Sequence, residues 1–102
     1  MKLSDMTIDE AIAYAVREVP EIVPEDWAIR SVLLNIPPSM RQAIWFHAAW
    51  VWLARQGRPD FIEAQADKFS LWDDFNSDYR DFPTEYHALA AACLLAAGKG
   101  VP

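Results

Sequence analysis

At 102 residues and 11.6 kDa the chain is long enough for one hydrophobic core and too short for a core plus an elaborate active-site superstructure, so we expect a single domain with function on its surface. Hydrophobic residues make up 53% and five are Trp, an excess that points to an exposed apolar patch or a homodimer seam. A net charge of −6 disfavours direct binding to nucleic acid, whose phosphates a carboxylate-rich surface repels.

The N-terminal MKLSDMTIDE has no apolar core of a signal or transit peptide, and cytoplasmic residence is the expectation. Thr7 and Glu10 have capping-box spacing and open a first helix, with Ile8, Ala11, Ile12, Ala15 and Val19 on one stripe. Pro20 stops it. Pro24, followed by Glu25 and Asp26, starts a second helix to about Asn35 that buries Trp27, Ile29, Val32, Leu33 and Leu34. Pro37 and Pro38 end that one.

Ser39 and Gln42 repeat the capping spacing, and Gly57 supplies a left-handed stop, which sets a third helix over about 39–56. Within it, Ala43 to Ala54 (AIWFHAAWVWLA) is apolar at every position except His47, and a helix apolar all round is a buried one. This segment is therefore the expected centre of the molecule. Pro59 and Asp60 begin a fourth helix carrying Phe61, Ile62, Ala66, Phe69 and Trp72 inward, ending between Asp73 and Tyr79. Pro83 or Thr84 starts a fifth, alanine-rich helix that Gly98 ends, small enough in side chain to pack closely on the Trp-bearing third helix. Alternating β-branched runs and Asn-Gly hairpin signals are lacking, so the pattern predicts an all-α, compact single-domain bundle of about five helices around a buried central helix. The longest apolar runs fall short of the roughly 20 residues that cross a bilayer, so no membrane association is expected.

Charge is segregated along the chain. Asp5 to Asp26 carries seven acids against Arg17, and Asp60 to Glu85 carries eight against Lys68 and Arg80. Between them, 27–59 contains Arg30, Arg41, Arg55 and Arg58 and no acid.

Groups that could carry chemistry are few. Asp74, Asn76, Asp78 and Glu85 stand at positions 1, 3, 5 and 12 of a segment that resembles the calcium loop of the EF-hand family, and the resemblance implies a calcium-responsive module between two helices. Tyr79 stands where the sharp turn needs Gly, Asp81 where an aliphatic residue belongs, and Pro83 opposes a regular exit helix, so a solvated acidic turn is the expected state. His47, His87 and Cys93 are the soft metal-ligand candidates, with spacings that do not converge on one side of a helix. Cys93 reads as a small buried hydrophobe, His47 as a hydrogen-bonded core residue and His87 as a surface or capping group in the first turn of the last helix. Serine lacks a glycine-flanked elbow, and with three glycines, two of them beside the C-terminus, no phosphate-cradling loop can form. Neither an enzymatic role nor a cofactor is expected.

The expected site is instead a binding surface: Trp72, Phe75, Tyr79 and Phe82 interleaved with Asp73, Asp74, Asp78 and Asp81. Rings set among acids suit a partner protein with a basic surface, through cation–π and ion-pair contacts. In size, charge and lack of catalytic groups the chain is similar to the small inhibitors that phages direct at host defence complexes, anti-CRISPR proteins among them, several of which imitate the charge of DNA. That likeness implies an inhibitor or adaptor whose partner is a nucleic-acid-binding complex.

Overall fold

A computed structural model describes residues 1–23, 37–57, 62–73 and 78–102. Three α-helices and a three-stranded antiparallel sheet lie among these: α1 (Ile8–Glu18), α2 (Pro38–Arg55), β1 (Ile62–Ala64), β2 (Phe69–Asp73), β3 (Asp78–Phe82) and α3 (Glu85–Ala96). The architecture is α+β, which corrects the expectation of an all-α five-helix bundle. The expected second helix falls outside the described residues.

Local chemistry explains most element ends. Thr7 Oγ1 accepts from the Glu10 backbone N–H at 3.2 Å and the Glu10 carboxylate accepts from Thr7 N–H at 3.0 Å, a completed capping box at the start of α1. Thr84 caps α3 through the His87 backbone N–H. At the other end of α3, Gly98 adopts φ +74°, and the Gly98 and Lys99 amides donate to Leu95 and Leu94 at 3.0 and 2.8 Å, the paired bonds of a Schellman stop. Gly57 closes α2 in the same left-handed conformation at φ +68°. Ser39 does not cap α2; the helix begins one residue earlier, after Pro37, and Gln42 Nε2 donates instead to Asp9 Oδ1 on α1 at 3.0 Å.

The segment expected to form the fourth helix is the sheet. Gln65 and Lys68 flank a two-residue turn, Ala66-Asp67, that folds β1 back on β2 with Ala64 opposite Phe69. β3 then pairs with β2, Phe69 opposite Phe82 and Asp73 opposite Asp78. Phe69 and Trp72 satisfy a helical stripe as well as a strand, but only the strand sends Leu71 and Phe82 together into the core, where they are 0% and 4% exposed. The Ala66-Asp67 turn carries no glycine to announce it.

The molecular centre is α3, not α2. Every residue from His87 to Leu94 is buried, and the helix is contacted by α1, α2, all three strands and the N-terminal 3-10 turn at Leu3–Asp5. Alanine at 88, 90, 91 and 92 leaves no bulk on any side, so neighbours can close on the helix all round. α2 has only one buried side: Trp45, Ala49 and Leu53 face the core, while Ala43, His47, Val51 and Ala54 are exposed. Its indoles are too large to be enclosed on every side in a domain of this size, and Trp50 and Trp52 stay half-buried at its flanks. Phe46 joins α2 to α3 through a tilted ring contact with Tyr86 at 5.1 Å. Among the described residues no helix is long and apolar enough to cross a membrane.

Candidate functional site

Strand alternation divides the sheet into two faces. Phe69, Leu71, Arg80 and Phe82 share the side turned to α3. Glu63, Ser70, Trp72, Tyr79 and Asp81 share the other. On that outer face the cross-strand neighbours Trp72 and Tyr79 pack edge to face, ring centroids 5.0 Å apart and planes at 68°. Tyr79 is 50% exposed and Trp72 half-buried.

One step along the strands lies a polar row, Glu63, Ser70 and Asp81, fixed by the register of all three strands. The Ser70 hydroxyl, buried beneath the row, donates to Asp81 Oδ1 at 2.6 Å and accepts from Gln65 Nε2 at 3.2 Å. Lys68 Nζ donates to Asp81 Oδ2 at 3.0 Å. The Ser70 hydroxyl first, and the Lys68 ammonium next, hold the Asp81 carboxyl below the usual carboxylate range. Asp81 in turn raises the Lys68 ammonium above the usual lysine range.

The expected binding residues are thus dispersed by the sheet. Trp72, Tyr79 and Asp81 are brought onto one face. Phe82 points the other way and fills the core at 4% exposure, so it offers nothing to a partner. Asp73 and Asp78 are register partners at the end of the β2–β3 pair where the chain passes from one strand to the next, and Asp74 and Phe75 lie outside the described residues. Ser70, Lys68, Gln65 and Glu63 escaped sequence reasoning because hairpin pairing alone makes them neighbours of Asp81. The alternation of FSLWD against DYRDF is the signal that could have located them.

Of the EF-hand-like segment, Asp78 opens β3 and Glu85 is the first residue of α3, so the stretch from 78 to 82 is paired strand rather than an inter-helix loop. Asp74 and Asn76 lie outside the described residues. Among the described residues no three His, Cys, Asp or Glu side chains converge as a metal site would require.

The two histidines exchange the places expected of them. His47 is exposed on the outer side of α2. His87 is buried, 3% exposed, with Nε2 at 2.7 Å from the Met6 carbonyl and Nδ1 against Thr84 Oγ1. A carbonyl only accepts, so Nε2 carries the proton and Nδ1 accepts from the Thr84 hydroxyl, whose oxygen accepts from the His87 backbone N–H. Both ring nitrogens and the hydroxyl are satisfied, which makes His87 a clasp between the N-terminal segment and α3. Cys93 is fully buried in α3, as a small hydrophobe would be.

No protein family, characterised protein or solved structure matches the chain.

Proposed function

We propose that this protein is a small acidic protein–protein interaction module, an inhibitor or adaptor that offers carboxylates and aromatic rings to the basic surface of a partner protein. The supporting observation is the outer sheet face, where the Trp72–Tyr79 ring pair adjoins the Glu63–Ser70–Asp81 row. Tyrosine and tryptophan give large contact area with little rotamer freedom to lose, and a ring face beside a carboxylate receives a guanidinium by stacking and ion pairing together. Ser70 and Lys68 hold Asp81 in one position, so little side-chain order has to be created on binding. A partner whose own surface is built for phosphate, such as a nucleic-acid-binding complex, has the complementary charge; nucleic acid itself has the wrong sign.

The test is affinity capture from the native host with three baits: the wild type, Tyr79→Ala, and a variant with Asp73, Asp74, Asp78 and Asp81 changed to Asn. One basic protein retained by the wild type and lost by both variants, with capture weakening as salt rises, is the expected result. Equal retention by all three baits refutes the proposal.

A further inference from the structure

β3 is an outer strand of the sheet, and the hydrogen-bond phase fixes which of its main-chain groups face outward. The Gln65 N–H donates to the Lys68 carbonyl at 2.9 Å, so alternation makes Glu63 and Ser70 a bonded pair and turns the main-chain groups of Ser70 and Trp72 to β1. Those of Phe69, Leu71 and Asp73 are then turned to β3. Their register partners Phe82, Arg80 and Asp78 bond back to β2, which directs the main-chain N–H and C=O of Tyr79 and Asp81 to the outer edge. A strand edge of this kind is a template for a further strand. β1, at the opposite edge, is three residues long and too short for a comparable ladder.

We propose that β3 pairs with β3 of a second copy of this chain, antiparallel about a two-fold axis at Tyr79, so that two three-stranded sheets join into one. Residues whose main-chain groups point the same way must face each other, so the axis falls on a residue, and charge chooses which. Centred on Asp78, Arg80 or Asp81, the pairing sets like charge opposite like. Centred on Phe82, it needs an N–H from Pro83, which has none. Centred on Tyr79, it sets Asp78 of each copy opposite Arg80 of the other, so one strand supplies both halves of two opposite-charge pairs. Tyr79, 50% exposed, then lies beside its counterpart, and the Trp72–Tyr79 contact extends into a row of four rings across the axis. Strands add in the plane of a sheet, which leaves its outer face open in the dimer. The inference therefore stands whether or not that face binds a basic partner.

The experiment uses the full-length chain at physiological salt, where screening over about 8 Å limits the repulsion between two copies of charge −6. Sedimentation velocity from about 10 µM to 1 mM should show the wild type passing from 11.6 kDa toward twice that mass. Asp78→Arg sets Arg opposite Arg, and Arg80→Asp sets Asp opposite Asp. Each alone should weaken association by about tenfold or more. An equimolar mixture of the two variants should associate as a heterodimer with close to wild-type affinity, since every charge then meets its opposite, a recovery that misfolding of either variant cannot produce. A wild type still monomeric at about 1 mM, a dimer unchanged in both single variants, or a mixture no more associated than its components overturns the proposal.

Discussion

Replacing His87 by Leu is the sharpest probe of how this fold is closed. Leucine is close to imidazole in bulk, so the main effect is the loss of two hydrogen bonds rather than a cavity. The Met6 carbonyl, 2.7 Å from Nε2, loses its side-chain donor. An acceptor left unsatisfied in the interior costs about 1–3 kcal/mol, and the half-buried position of Met6 favours the lower half of that range. The Thr84 hydroxyl keeps its bond from the His87 backbone N–H but loses Nδ1, a net loss of about 0.5–1.5 kcal/mol. The expected destabilisation is therefore about 1.5–3.5 kcal/mol, a sizeable part of the roughly 5–15 kcal/mol that holds a domain folded. Urea denaturation followed by Trp fluorescence measures it, and the thermal midpoint should fall by roughly 4–8 °C for each kcal/mol. His87→Gln, whose amide can donate to the Met6 carbonyl, should recover part of the loss. A change below about 0.5 kcal/mol for His87→Leu would mean that the ring is a filler and not a clasp, and the reasoning fails. Nitrogen-15 NMR of the neutral ring should find its proton on Nε2.

Gly98→Ala should destabilise by about 1–2 kcal/mol through the left-handed backbone alone, because a Cβ there meets no atom within 4 Å; an unchanged denaturation midpoint would count against the Schellman stop. Ala91→Leu inserts three carbons beside a helix enclosed on all sides and should cost about 1–3 kcal/mol, whereas the same change at exposed Ala54 should leave the urea midpoint near that of the wild type. The Lys68–Asp81 pair has a defined pH signature. Asp81 is held low, so its contribution is complete above the usual carboxylate range and is lost as pH falls through the lowered value; Lys68 is held high, so its contribution persists through neutrality and is lost as pH climbs past the usual lysine range. Thermal midpoints of Lys68→Met and wild type should therefore differ only on the plateau between and converge at both extremes, and a gap that persists at acid pH would assign the effect to packing.

Much of the local structure is legible in the residues. Thr7 with Glu10, Thr84, Gly57 and Gly98 announce their helix ends because a cap or a left-handed stop is decided within four or five residues of chain. The burial of Cys93 follows in the same way from an uninterrupted apolar stretch. Which of two apolar helices lies at the centre does not follow, since both 43–54 and 88–97 are greasy on every side. Three-dimensional space decides: an alanine-rich rod can be approached from all directions, while one bearing Trp45, Trp50 and Trp52 fills its surroundings and is left at the edge with His47 in water.

The same division holds for the candidate site. Sequence places rings and acids together between 72 and 82, but their direction depends on whether that stretch is helical or extended, and Phe69, Leu71 and Trp72 are compatible with either period. The choice was made by partners remote in sequence, chiefly the face of α3 that needs Leu71 and Phe82 to cover it. Once that pairing is set, the strand period sends Phe82 inward, turns Trp72, Tyr79 and Asp81 outward, and draws Ser70 and Lys68 beside Asp81. Caps and charge blocks are properties of neighbouring residues and can be read along the chain; a face is a property of what packs behind it.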